Sequence, residues 1–188
     1  MKTKSDEELM LEYANGKVEA FEELFSRYGQ KIYNLFLRWS GNAALSQDLL
    51  QECFVKLTEA RHRYQPRNAF SNWIFTIAMN LLRDRHREKQ RKGMQVSYDT
   101  PGNETDRLIT PEPGPHEALE DSEVKQAVEN ALHSLPDEQR EVIILKKFHG
   151  FSFSEIGEIL SISPDAAKQK AYRGMQTLRQ KLSYLKEG

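Results

Sequence analysis

Apolar residues recur at intervals of three and four along almost the whole chain, which is the spacing of one buried face on an α-helix. No stretch shows a convincing alternation of apolar and polar residues, which would be typical of a strand. The pattern therefore predicts an all-α protein, and its 188 residues are enough for one domain or two small ones.

The first part of the chain is predicted to form a helical bundle with an aromatic-rich core. Ser5 and Glu8 have the spacing of a capping box, so a first helix should begin there and end at Gly16. Two further helices should follow before Gly41 and Asn42 break the chain. Their predicted buried residues are Phe21, Leu24, Phe25 and Tyr28 in the second helix and Ile32, Leu35, Phe36 and Trp39 in the third.

Two more helices complete this predicted bundle. The apolar seam of the first consists of Leu50, Cys53, Phe54 and Leu57. A loop with Pro66 and Asn68 precedes the second, a long helix with Phe70, Trp73, Ile74, Ile77, Ala78 and Leu81 on one side. That helix should continue into a basic segment, 83–92, whose six bases and two acids give a net charge of +4.

Residues 93–115 are predicted to be a flexible linker, because they are poor in apolar residues and end in a cluster of prolines and glycine. Over residues 99–123, eight acids and one base give a net charge of −7. The expected organisation is therefore a helical domain at 1–92, an acidic linker at 93–115 and a second helical domain at 116–188. The apolar stripe of the second domain should begin with Leu119, Val124, Val128, Leu132 and Leu135, followed by a helix from Pro136 to a C-terminal Gly150.

The last helices have the pattern of a DNA-binding helix-turn-helix. A helix at 154–160, a turn at 161–163 and a helix opening at Pro164 follow one another, and Ser163 is a good N-cap. Residues 168–181 hold five bases and no acid. With Ala167, Ala171 and Leu178 facing inward, the side chains expected to reach base edges are Lys168, Gln169 and Tyr172, and those suited to phosphates are Lys170 and Arg173. The alternative is a surface helix with a solvated basic face.

The overall composition excludes some classes of protein but does not by itself indicate a function. The net charge of −1 is not that of a general nucleic-acid binder, so the local distribution of charge matters more than the sum. Cys53 is the single cysteine, which excludes an internal disulfide and fits a reducing cytoplasm. No signal segment, membrane span or metal-binding spacing of histidines is recognised, so we expect a cytoplasmic protein with no cofactor and no metal.

Several motifs together resemble the extracytoplasmic-function sigma factors, the smallest sigma subunits of bacterial RNA polymerase. The matching segments are 20–28 (AFEELFSRY), 48–57 (DLLQECFVKL), 70–80 (FSNWIFTIAMN), 135–140 (LPDEQR) and 151–157 (FSFSEIG). Each is weak alone, but their order and spacing are specific. The chain departs from the family at Ser161, where many relatives have Gly, at Ala166-Ala167 in place of Thr-Val, and at Gly174-Met175 in place of Ala-Arg. These departures concern promoter sequence and affinity rather than the class.

The resemblance implies two domains, sigma regions 2 and 4, and no active site of the chain's own. Region 2 would bind the clamp of RNA polymerase and open the −10 promoter element, while region 4 would read the −35 element and contact the flap. The linker would follow the path of the nascent RNA. The residues implied in polymerase binding are Asp48, Gln51, Glu52, Val55 and Lys56, and those assigned to the −10 element are Tyr64, Asn68, Phe70, Asn80, Arg83 and Arg87. An anti-sigma factor is an expected partner, and the free protein is expected to be a monomer whose domain orientation stays open.

Other interpretations remain at this point. The polar face of 48–56 could simply be solvated, Phe70 and Trp73 have the spacing of core residues, and Asn80 could bond within the core instead of holding a base. As a whole, the chain could be a dimeric helix-turn-helix activator that reads a palindrome. An enzyme acting on nucleic acid is disfavoured, because no nucleophile–base pair, phosphate-binding glycine loop or metal cluster is recognised.

Overall fold

The computed structural model describes residues 4–91 and 121–183, and every regular element in these two ranges is helical. The N-terminal domain consists of α1 (Asp6–Ala14), α2 (Val18–Ser40), α3 (Ala43–Ala60), a 3-10 turn (Arg61–Arg63) and α4 (Phe70–Arg91). The C-terminal domain consists of α5 (Asp121–His133), α6 (Asp137–Ile143), a π-helical turn (Ile144–Phe148), α7 (Phe153–Leu160) and α8 (Pro164–Lys181). The predicted linker at 93–115 and the start of the stripe at Leu119 lie outside the described residues.

Local sequence signals set most helix ends. The capping box of α1 is confirmed, since the amide of Glu8 donates to Ser5 Oγ and the amide of Ser5 donates to a Glu8 carboxylate oxygen. Asn42 caps α3 by accepting the amide of Leu45 at 2.8 Å. Gly41 ends α2 at a φ of +66°, a left-handed conformation that favours glycine because it has no Cβ. The predicted break at this point is therefore confirmed.

The prediction of two separate helices between residues 18 and 40 is wrong, because α2 is one continuous helix of 23 residues. Only Gly29 could have divided it, and a single glycine inside a helix is tolerated when the flanking faces pack well. A Cβ at this position would lie 3.5 Å from the ring of Phe25, which is an ordinary van der Waals contact. Phe25 itself is 43% exposed, in contrast to its predicted burial, because it points about 100° away from the buried Leu24.

The core of the N-terminal domain joins α2, α3 and α4. Its fully buried members include Leu24, Phe36, Leu57, Phe70 and Ile74. Cys53 is also buried, as its seam position predicted, and burial raises the pKa of its thiol to about 12 with a further contribution from Glu52.

The helix-turn-helix forms as the sequence predicted. Ser152 opens α7 with a second capping box, and Ser163 opens α8 by accepting the amide of Ala166 at 3.1 Å. Between the helices Ser161 adopts a φ of +57°, which explains a preference for glycine there. The turn passes so close to α7 that a Cβ on Gly157 would stand 2.7 Å from the carbonyl oxygen of Ile162.

The rest of the C-terminal domain packs around this motif. The inward-facing residues of α8, Ala167, Ala171 and Leu178, are buried as predicted. Leu132 and Leu135 of the predicted stripe are buried, but Val124 is 43% exposed and does not belong to the core. No helix within the described ranges is long and apolar enough to cross a membrane.

The two domains pack against each other rather than standing apart. One hydrophobic cluster runs from the N-terminal domain through Phe75 and Met79 into Phe151, Ile156 and Ile159 of the C-terminal domain. The sequence left the domain orientation open, and the described structure is the compact form.

Candidate nucleic-acid interface

The first candidate surface is the N-terminal half of α8. Lys168, Gln169 and Tyr172 are all exposed, and Tyr172 retains 64% of its accessible surface. Gln176 donates from Nε2 to the hydroxyl of Tyr172 at 2.9 Å, which holds the phenol on this face and leaves its own proton available to a ligand. The three side chains predicted to read bases therefore lie together on one accessible helix face.

The two residues predicted to contact phosphates differ in their surroundings. Arg173 is exposed, whereas Lys170 is partly buried and forms an ion pair with Glu138 at the start of α6. The hydrogen bond from Lys170 lowers the pKa of Glu138, so this carboxylate is ionised at neutral pH. A phosphate that approaches Lys170 must compete with Glu138.

Gly174 brings α8 close to α6. A Cβ at this position would lie 2.5 Å from Ile143 Cδ1 and 3.3 Å from Gln139 Cβ, so the absence of a side chain lets the two helices meet. The sequence suggested only that this glycine weakens the helix; the structure gives it a packing role. The close contact holds the exposed face of α8 at a defined angle to the domain.

The second candidate surface is a groove between α3 and α4 with a volume of about 380 Å³, which is within the usual range of small-molecule sites. Asn80 lines it and is exposed, so the alternative that Asn80 bonds within the core is wrong. The other lining residues are Lys56, Glu59, Ala60, Arg63, Ile77, Leu81 and Asp84. Two cations, two carboxylates and the Asn80 amide meet here over an apolar floor.

Tyr64 and Phe70 do not line this groove, because both residues are buried: 7% of the surface of Tyr64 is exposed and none of that of Phe70. They stack edge to face with a centroid distance of 6.1 Å, and Tyr64 Oη donates to the carbonyl oxygen of Asn68 at 2.9 Å. Burial, with smaller contributions from Glu7 and Asp6, raises the pKa of Tyr64 to about 12. The phenol therefore stays a donor that fixes the loop, and only Asn68 of these three residues is exposed.

The basic end of α4 is largely paired with acids. Arg83 is bound by Glu141 of the C-terminal domain at 2.7 Å, and this hydrogen bond raises the pKa of Arg83. Arg85 pairs with Glu52 at 2.8 Å. Arg87 is exposed and lies 3.9 Å from Asp84, so it is the most accessible of the three arginines.

The outward face of α3 carries the residues predicted to bind polymerase. Asp48, Gln51 and Lys56 are exposed, and Val55 keeps 56% of its surface in water. Glu52 is half-buried through its pair with Arg85. A single exposed valine is common on protein surfaces, so the role of this face in polymerase binding stays a prediction.

Glu141 and Glu158 escaped the sequence analysis. Glu141 is 4% exposed and binds Arg83, while Glu158 accepts a hydrogen bond from Asn72 at 2.8 Å. A weak signal for Glu141 existed in the chain, because it stands four residues before the buried Leu145 and so shares its helix face. A charged residue on an apolar face indicates a buried partner without identifying it.

Comparison with known proteins assigns the two domains. Residues 24–92 match sigma-70 region 2, and residues 125–178 match sigma-70 region 4. The RNA polymerase sigma factor CarQ of Myxococcus xanthus is 34% identical over 94% of this chain and 97% of its own length. The chain belongs to the extracytoplasmic-function sigma factors of the sigma-70 family. Proteins of this family direct RNA polymerase to specific promoters and are not catalytic enzymes.

Further comparisons agree with this assignment. The extracytoplasmic-function sigma factor SigW of Bacillus subtilis is 31% identical over 89% of this sigma factor and 91% of its own length. The fold is similar to that of CnrH bound to the cytosolic domain of CnrY, with a TM-score of 0.72, 22% identity and coverage of 96% and 99% of the two chains. It is also similar to RpoE bound to the anti-sigma factor NepR from Bartonella quintana, with a TM-score of 0.68, 22% identity and coverage of 87% and 96%.

Proposed function

We propose that this sigma factor reads the −35 element with α8 and holds an unstacked −10 base in the groove between α3 and α4, while the outer face of α3 binds the polymerase clamp. The observation that carries the proposal is the accessible row of Lys168, Gln169 and Tyr172 near the N-terminus of α8. These residues can enter a major groove together, because they share one face within about one helical turn. Arg173 and Lys170 flank the row and supply phosphate contacts.

The −10 part of the proposal rests on Asn80 and its surroundings. The Asn80 amide can donate to and accept from the edge of a base, and Asn68 is held near the start of α4 by Tyr64. Phe70 supports Tyr64 from the core, and Arg87 is accessible for the phosphate backbone. Arg83 becomes available for DNA once its bond to Glu141 opens.

The polymerase contact is proposed for Asp48, Gln51, Val55 and Lys56, with Glu52 at the edge of the surface. The reading of the chain as domains at 1–92 and 116–188, joined by residues 93–115, is part of the same proposal. We further propose that the protein is a monomer and that it acts in the cytoplasm, where RNA polymerase is found. An anti-sigma factor as a partner is supported by the similarity to CnrH and RpoE, whose structures contain CnrY and NepR.

The test of base reading is promoter binding by polymerase that carries variants of α8. Gln169→Ala should weaken binding to a cognate −35 element by about 5- to 100-fold and relax the preference at one base position. Gln180→Ala is the matched control, because Gln180 is exposed on the same helix face but roughly 16 Å further along. Equal effects of the two substitutions would contradict the assignment of base reading to the N-terminal half of α8.

The test of strand opening separates binding from melting. Asn80→Ala should reduce open-complex formation, measured by permanganate reactivity of the −10 region, much more than it reduces binding to core polymerase. Asn34→Ala is the control, since Asn34 is an exposed asparagine on α2, away from the groove. Equal loss of polymerase binding and melting in Asn80→Ala would point to a folding role instead.

A further inference from the structure

Helix α4 begins without a capping side chain of its own. Its N-cap position is Ala69, whose carbonyl oxygen accepts the amide of Trp73 at 3.2 Å but whose methyl side chain can accept no hydrogen bond. The first amide of the helix, at Phe70, therefore needs an acceptor from elsewhere in the fold. Glu7 of α1 supplies it, because a carboxylate oxygen of Glu7 accepts the amide of Phe70 at 3.0 Å.

This cap connects distant parts of the chain, since Glu7 and Phe70 are 63 positions apart. A carboxylate at a helix N-terminus is also favoured by the helix dipole. The bond joins α1 to the point where the exposed loop 65–69 ends and α4 begins. Asn68, which we propose contacts the −10 element, therefore lies immediately before the backbone that Glu7 holds.

The position of Glu7 is fixed by its neighbour Asp6. Two residues of α2 donate to Asp6: Arg27 through Nη1 at 2.6 Å, and Tyr28 through its hydroxyl. Burial, together with the bond to Asp6, raises the pKa of Tyr28, so its hydroxyl stays a donor. The ring of Tyr28 in turn packs edge to face on Phe70, with a centroid distance of 5.0 Å. The start of α1 is thus anchored to α2 beside Phe70.

Helix α1 also contacts the chain at the other end of the loop. The hydroxyl of Tyr13 donates to Thr58 Oγ1 at 2.9 Å, and the guanidinium of Arg61 lies 5.9 Å from the centroid of the Tyr13 ring. Within the loop, Tyr64 Oη donates to the carbonyl oxygen of Asn68. The segment that carries Asn68 is therefore held by α1 on both sides and closed by Tyr64 between them.

We propose that Glu7 is a positioning residue for the −10 contact: its bond to the Phe70 amide holds the loop 65–69 in the conformation that presents Asn68 to the promoter strand. This inference rests on the −10 role proposed for Asn68. The physical gain is preorganisation, because a loop that is already ordered loses less conformational entropy when the strand binds. Glu7 acts through the loop and not by contact with DNA, whose phosphates would repel its charge.

Hydrogen exchange of the full chain, measured by mass spectrometry, tests the physical link. Glu7→Ala removes the acceptor, so a peptide that covers 65–70 should exchange several-fold faster, while peptides from α8 keep their rates. Glu8→Ala is the matched control. Glu8 is the next residue of α1 and also binds a backbone amide, that of Ser5 at 2.8 Å, but within its own helix. Wild-type exchange at 65–70 in Glu7→Ala would overturn the inference.

Strand binding by the holoenzyme tests the consequence. The probe is a fluorescent single-stranded oligonucleotide with the non-template −10 sequence of a promoter that the holoenzyme transcribes. Glu7→Ala should weaken its binding by about 5- to 10-fold, because the lost bond lowers the fraction of protein with an ordered loop. Glu7→Gln keeps an acceptor oxygen and should lose less, and Glu8→Ala should bind like the wild type.

Affinity for core polymerase and for a −35 duplex should stay at the wild-type value in all three variants, and circular dichroism checks their folding. These two affinities depend on α3 and α8, which Glu7 does not contact in the proposed role. If Glu7→Ala lost affinity for core polymerase in the same proportion as for the −10 strand, the substitution would have destabilised the whole domain, and the positioning role would be wrong.

A double-mutant cycle with Asn68 separates positioning from a general effect. If Glu7 acts through the loop, Glu7→Ala should weaken strand binding much less in an Asn68→Ala background than in the wild type; additive losses would contradict this. The cycle also distinguishes the inference from the proposed function. If Asn68→Ala binds the strand like the wild type, the proposed −10 role of Asn68 fails and the positioning role with it. If Asn68→Ala loses binding and Glu7→Ala does not, only the positioning role fails.

Discussion

His149 should make the stability of this sigma factor depend on pH in a range where most carboxylates do not titrate. Its ring packs against Phe75 at 4.8 Å, and within the described ranges its buried Nε2 has no hydrogen-bond partner. Burial, together with the nearby cations Arg38 and Lys31, lowers the pKa of His149 from 6.5 to about 4. The folded protein therefore keeps this imidazole neutral under conditions in which the unfolded chain protonates it.

The sign and size of the effect follow from linkage. Because the pKa is lower in the folded state, the contribution is fully present above about pH 6.5 and is lost as the pH falls towards 4. The gap between the two pKa values corresponds to a loss of about 2 kcal/mol at pH 5 and about 3 kcal/mol below pH 4. Burial also lowers the pKa of His133, so the wild-type profile contains a second contribution of the same sign.

Urea unfolding followed by circular dichroism and tryptophan fluorescence would measure this dependence at pH 7.5 and pH 5. Replacing the imidazole by a ring that does not titrate, in His149→Phe, should remove about 2 kcal/mol of the wild-type loss between these two pH values. His62→Phe is the matched control, because His62 is exposed and makes none of these contacts, and it should keep the wild-type profile. Parallel pH profiles for the wild type and His149→Phe would refute the reasoning.

Three further predictions concern the helix-turn-helix. Ser161→Gly should raise the free energy of unfolding by about 0.5–1 kcal/mol, because it relieves a left-handed serine; an unchanged thermal midpoint would contradict this. Gly157→Ala should cost about 2 kcal/mol or more in urea unfolding, since its Cβ would meet the Ile162 carbonyl at 2.7 Å. Glu138→Gln should free Lys170, tighten −35 binding and steepen its dependence on log salt by about one, as titrations at several salt concentrations would show.

Sequence reasoning succeeded where a local interaction decides the structure. The predicted capping serines at 5 and 163 and the inward face of α8 depend on neighbours within a few residues. It failed at α2, where two successive sets of apolar residues were assigned to two separate helices, and at Val124, whose helical spacing did not ensure burial. Periodicity shows which face of a helix is apolar, but the depth of burial depends on what packs against that face.

The positions of the candidate site residues show the same limit of sequence-based prediction. Tyr64 and Asn80 were assigned to one base site, yet the first is buried and the second lies in a groove. Lys170 and Arg83 were expected to be available for phosphates, and each is paired with a glutamate that the chain brings from a distant segment. The sequence could not reveal these ion pairs. The energy of an ion pair depends on the distance between the two charged groups in the folded protein, which must be only a few ångströms.

By itself the sequence determined most of the helices, the caps at Ser5 and Ser163, the helix-turn-helix and the family, because each depends on side chains close together in the chain or on motifs in a fixed order. The tertiary structure alone decided that sigma regions 2 and 4 share one core and that Arg83 meets Glu141, 58 residues away. Such long-range contacts form only after the helices have packed, when buried apolar surface brings distant charged groups within hydrogen-bonding distance.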